Sequence, residues 1–145
     1  MKLKTTREIV FTVLLMGMLT LTFSIQPIKA AGTIYIRADG SVDPPTAPIS
    51  SVDNVTYTFT SDVFESIEIE RDNIVVEGAG YMVQGRGSGN GISLSGRSNV
   101  TIRNVEVQSF GENGIDITQS SNVRIIGNNI KNNYRGIWSE SSSNN

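Results

Sequence analysis

The 145-residue sequence contains no cysteine and no histidine. Without thiols there are no disulfides to compensate for a small core, so stability has to come from packing and hydrogen bonding. The same two absences exclude Cys/His zinc sites, thiol nucleophiles, haem attachment and any Ser-His-Asp relay. Lysine is nearly absent as well, Lys131 being the only one beyond residue 30. Past that point no apolar stripe recurs at helical spacing, and glycine interrupts every candidate helix.

One long hydrophobic run is present, IVFTVLLMGMLTLTFSI at 9–25, behind a basic head of Lys2, Lys4 and Arg7. QPIKA at 26–30 adds a proline break and a small residue at Ala30. The pattern is that of a secretory signal cut after Ala30, which predicts an exported, extracellular or cell-surface chain. The competing reading is an uncleaved membrane anchor, because the run sits at the short edge of the roughly 17–25 residues a spanning helix needs. Residues 1–30 hold four of the 12 basic residues and one of the 14 acidic ones, leaving a net charge of −5 on the rest. That balance argues against a nucleic-acid partner, which requires clustered Lys and Arg.

The remainder repeats. RDNIVVEG (71–78), SNVTIRNV (98–105), SNVRIIGN (121–128) and the closing SSNN (142–145) align on Asn73, Asn99, Asn122 and Asn144, spaced 26, 23 and 22. GNGISLS (89–95), ENGIDIT (112–118) and YRGIWSE (134–140) align on Gly91, Gly114 and Gly136, spaced 23 and 22. Within each unit apolar and polar residues alternate, as in strands with one buried face. Three short strands per unit, repeated, predict the coils of an all-β solenoid. Expected inward columns are Ile74/Val100/Val123, Val76/Ile102/Ile125 and Ile69/Leu94/Ile117. The aligned Asn are expected at corners, where Asn tolerates left-handed backbone, with their amides bonded from coil to coil as a ladder. The aligned Gly are expected at a second left-handed corner.

Asn followed by β-branched pairs, then N-x-x-[IV], then NGI or RGI, resembles the right-handed parallel β-helix repeats of the NosD-type and carbohydrate-binding/sugar-hydrolase group. The resemblance covers about 67–145 and implies three to four coils, open at the C-terminal end, where further coils or self-association would continue the stack. Residues 34–66 resemble the extended segment such proteins place before their first coils. The expected organisation is a signal at 1–30, an N-terminal β cap at 31–66 and parallel β-helix coils at 67–145. Many activities sit on this scaffold, so the resemblance speaks to fold more than to function.

Candidate sites must lie on outward positions. In the third strand of each unit these are Glu68, Ser93, Asp116 and Trp138. Trp138, the only tryptophan, follows Tyr134 and Arg135, and this group with Asp116 is the candidate carbohydrate-binding site: a ring to stack on a sugar, a carboxylate for its hydroxyls. The plain alternative is an aromatic that shields a coil edge. Glu68 and Asp116 lie two coils apart, about 9.6 Å by strand spacing, at the margin of the inverting-glycosidase range; neither belongs to a catalytic motif, and no catalytic residue is assigned. The resemblance to NosD-type proteins implies copper, but past the leader only Met82 is a soft ligand, so copper is not expected. Asp39 and Asp43 leave calcium open without a complete loop spacing; no other cofactor is expected. Asn54-Val-Thr56 and Asn99-Val-Thr101 match the N-glycosylation acceptor. Asn54 is the candidate, since Asn99 is better explained by the ladder. The resulting expectation is a non-catalytic surface module contacting glycans; the alternatives are the N-terminal part of a polysaccharide-active enzyme and a structural spacer.

Overall fold

The computed structural model describes residues 32–145; the expected leader lies outside them. Among the described residues there are fourteen strands and no helix. They form three sheets that run side by side along one axis. The largest contains, in spatial order, β14 (Arg135–Glu140), β11 (Asn113–Thr118), β8 (Ile92–Ser95), β5 (Ser66–Ile69), β1 (Thr33–Ile36) and β2 (Val42–Asp43). The second is β12 (Arg124–Ile126), β9 (Val100–Arg103), β6 (Ile74–Glu77), β4 (Thr56–Phe59) and β3 (Ile49–Ser50). The third is β13 (Asn129–Lys131), β10 (Glu106–Gln108) and β7 (Met82–Gln84). The chain visits the three sheets in turn and returns one rung further along, a β-solenoid of about four turns.

The columns follow from the alternation. Ile36, Ile69, Leu94 and Ile117 stack in register, and so do Ile34, Ile67, Ile92, Ile115 and Ile137. In the second sheet Tyr57, Val76, Ile102 and Ile125 form another column. Val83, Val107 and Ile130 line the third, with Val63 bridged below Val83. Ile34, Val76, Ile102 and Ile115 are fully buried, because each coil covers the apolar face its neighbour cannot bury alone. Cover thins toward the last rung: Val123 is buried, Ile125 and Ile130 pack at the margin of the core, and Ile137 is 48 % exposed.

The corners are where asparagine matters. Among the described residues eleven non-glycine residues have positive φ and seven of these are Asn, including Asn73, Asn99, Asn122 and Asn144, at 54–57°. Asn54 (φ 55°) occupies the same corner one coil earlier, so the series has five members. Asn99 Nδ2 donates to Asn73 Oδ1 at 2.9 Å, and the backbone N–H of each of Asn73, Asn99 and Asn122 donates to the carbonyl of the serine one coil on. Asn104 and Asn132 take left-handed corners outside the aligned frame.

The aligned glycines are not left-handed, which corrects the expectation from sequence. Gly91, Gly114 and Gly136 are absent from the positive-φ residues. The first two are required for space instead. A Cβ on Gly91 would stand 2.5 Å from Gly114 O and 2.6 Å from Val107 Cγ1, and one on Gly114 2.7 Å from Gly136 O, Asn133 Nδ2 and Ile130 Cγ2. Here the chain turns from the third sheet into the first and packs its backbone directly on the next coil.

Other asparagines staple coils together. Asn128 accepts from Val105 N (3.1 Å) and donates to Ile102 O (2.9 Å). Asn133 does the same for Phe110 N (2.9 Å) and Val107 O (3.0 Å). Each side chain thereby ties a backbone N–H and a carbonyl of the preceding coil to its own. Glu77 is a charged counterpart. Burial pushes its carboxyl up, but the Ala79 N–H, Asn104 Nδ2 and the Arg103 guanidinium, at 2.9, 3.0 and 2.6 Å, together hold it below its ordinary value.

At the N-terminal end β1 and β4 are themselves parallel rungs, pairing with β5 and β6. The two-residue strands β2 and β3 run antiparallel to them and cover their outer edges. Short, covered edges give another chain little to pair with. Inside, Tyr57 and Phe59 close the core, and the Tyr57 hydroxyl donates to Gly40 O at 2.9 Å.

Candidate functional site

The six-stranded sheet sets its outward side chains in register. Tyr35, Glu68, Ser93, Asp116 and Trp138 form one continuous row, each paired with the next across adjacent strands. The row spans four rung steps, about 19 Å at roughly 4.8 Å each. The structure thus places Asp116 and Trp138 on neighbouring rungs, and adds Tyr35 at the opposite end.

At the β14 end the Arg135 guanidinium lies between two rings, 5.0 Å from the Tyr134 centroid and 4.7 Å from that of Trp138. Trp138 is 38 % exposed and Tyr134 73 %. Trp138 Nε1 points to Glu140 Oε2 at 3.4 Å. Tyr134, Arg135 and Trp138 are therefore one aromatic–cation cluster.

Asp116 is held by three donors. Its Oδ2 accepts from Asn90 Nδ2 (3.1 Å) and Asn113 Nδ2 (3.0 Å), and its Oδ1 from Thr118 Oγ1 (2.9 Å). Asn90 in turn accepts from the Asn113 N–H through Oδ1 at 2.9 Å. Asn113 is 5 % exposed, and its Oδ1 is the one buried side-chain polar atom without a partner among the described residues. Asn90 and Asn113 were not singled out from the sequence; their signal was the polar residue just ahead of each NGI or GI step, one coil apart.

Glu68 has no such support. It makes no hydrogen bond or ion pair among the described residues. Burial raises its carboxyl above the ordinary value, and the like charges of Glu70 and Asp116 add to the rise, against a smaller opposing pull from Arg97. The neighbouring cations are engaged elsewhere. Arg37 binds Asp43 and Glu70 and lies over the Tyr35 ring, while Arg97 donates to the Ser95 and Glu70 carbonyls. A raised carboxyl pKa means the native state disfavours the charged form, so the penalty is absent in acid and grows as pH rises through the carboxyl range. Glu68→Gln is therefore expected to raise the melting temperature at neutral pH, with the gain vanishing in acid. An unchanged or lowered melting temperature at neutral pH would refute this account of Glu68.

The other candidates lie apart. Asn54 is exposed at its corner, and its side chain abuts Gly40. Asp39 accepts from Ser41, and Asp43 pairs with Arg37. No three or more acidic residues are arranged so that they could hold a metal ion among the described residues. Met82 Sδ accepts from Gln108 Nε2 at 3.3 Å.

Three sheets whose successive coils pair in parallel, a repeated turn and inward aliphatic columns define a class, the parallel β-helices. A family model described as "Right handed beta helix region" matches residues 58–145, and the chain belongs to that family. Searches of curated proteins and of solved structures returned no match.

Proposed function

We propose that this chain is an exported, non-catalytic β-helix module that contacts carbohydrate through the outer face of its six-stranded sheet, as in the carbohydrate-binding members of the β-helix group it resembles. The observation that carries the reading is Trp138 one rung from Asp116. A partly exposed indole beside a fixed carboxylate offers a stacking surface for the apolar side of a pyranose and an acceptor for its hydroxyls. Arg135 and Tyr134 widen that surface. A binding role for Asp116 is favoured over a role as catalytic base because both of its oxygens already accept hydrogen bonds.

Glycan-array binding tests the reading directly. The chain is expected to retain a defined set of glycans, and Trp138→Ala to lose them while keeping its β-rich circular dichroism. Retention undiminished in Trp138→Ala would remove the indole from the site, and an empty array would overturn the proposal.

A further inference from the structure

Both N-x-[ST] acceptor triplets, Asn54-Val55-Thr56 and Asn99-Val100-Thr101, lead into strands of the second sheet, away from Trp138. Each asparagine has φ 55°, so the corner alone explains an Asn at either position. Their surroundings differ. Asn99 is built into the stack: its Nδ2 donates to Asn73 Oδ1 at 2.9 Å, and Thr101 is paired on both sides, with Val75 and Arg124. Asn54 is not. Among the described residues only its backbone carbonyl is engaged, by the Tyr57 hydroxyl and Arg71 Nε, while its side-chain amide makes no hydrogen bond. The covering strand β3 pairs with Thr58 and Phe59 alone, so it stops short of Thr56, whose N–H is capped by Asp53 Oδ1 at 2.8 Å. Val52 is fully exposed and Val55 46 % exposed, which leaves the whole triplet on an open loop at the N-terminal end.

We propose that Asn54 carries an N-linked glycan and that Asn99, despite the same triplet, does not. The inference rests on the export part of the reading above, because the modification belongs to surface loops of secreted chains; it is independent of sugar contact at Trp138. The co-substrate is a lipid-pyrophosphate-linked oligosaccharide, presented by a membrane transferase. Asn54 Nδ2 attacks its anomeric carbon, and the N–C1 bond forms as the C1–O bond to the pyrophosphate breaks. The lipid pyrophosphate leaves with the electron pair, and one amide proton passes to the transferase. At Asn99 the same nitrogen faces Asn73 across one coil step, where a saccharide would wedge the coils apart.

The test exports the full chain, residues 1–30 included, from a cell that makes such lipid-linked oligosaccharides, and reads the released protein by intact and peptide mass. One N-glycan is expected, on Asn54. It should be lost completely in Asn54→Gln and in Thr56→Ala, retained in Thr56→Ser, and unaffected by Asn99→Gln. The Thr56 pair leaves the corner asparagine in place, so misfolding of Asn54→Gln would not obscure the result. Released protein that is unmodified, or that carries a glycan on Asn99, overturns the proposal and leaves export standing. Protein held on the membrane by an uncut leader yet glycosylated on Asn54 supports it. Protein kept inside the cell, unmodified and with residues 1–30 attached, sinks both readings.

Discussion

Gly91→Ala is expected to destabilise the protein by about 3 kcal/mol, near the top of the usual range for overpacking a core. The added methyl would press on a carbonyl oxygen of the next coil, Gly114 O, and on Val107 and Phe110, with the nearest approach at 2.5 Å. A flexible side chain can yield to such a contact; a backbone carbonyl inside a hydrogen-bonded rung cannot. Gly136→Ala is the control, because a Cβ there would find its nearest neighbour, Ile130 Cγ2, at 3.8 Å. The two substitutions occupy one slot of the repeat, so a propensity effect would move both alike. Urea midpoints that shift equally for the pair would refute the steric account.

Phe59→Ala should cost about 3–5 kcal/mol, the usual result of truncating a buried aromatic. Phe59 is 2 % exposed and pairs with Ile49 of the covering strand β3. Its loss opens a cavity at the N-terminal end, beside Tyr57. Because coils in a solenoid touch only their neighbours, the damage should stay local. Hydrogen exchange is expected to accelerate in β3, β4 and β6 while β11 keeps its protection. Uniform acceleration through β11 would mean that the stack melts as one unit, contrary to the local picture.

The columns were legible because two periods coincide in the sequence: alternation within a strand, and a return after 22–26 residues. Ile74, Val100 and Val123 could be aligned without coordinates for that reason. The corner asparagines were legible too, since few residues other than Gly tolerate that backbone. Gly91 and Gly114 were misread because a glycine has two distinct uses, positive φ and absence of a Cβ, and only the three-dimensional neighbours decide between them. Asn128 and Asn133 went unread for a related reason. Their work is done with main-chain atoms of the preceding coil, which leave no trace in residue type; the doublets 128–129 and 132–133 were the only hint. At the site, the row from Glu68 to Trp138 followed from alternation. Tyr35 was missed because the first coil carries Tyr57 where later coils have Val76, Ile102 and Ile125, which hides its membership in the repeat. The support of Asp116 by Asn90 and Asn113 joins two coils and is invisible to any local window.

The interstrand bonds of all three sheets, and the Asn128 and Asn133 staples, point along the solenoid axis. Tension applied down that axis therefore loads successive layers in series, so rupture begins at whichever layer is weakest. Tension across it is shared by many bonds at once. A force probe attached in these two orientations should find the molecule soft lengthwise and stiff sideways, a mechanical anisotropy set by the direction of its amides.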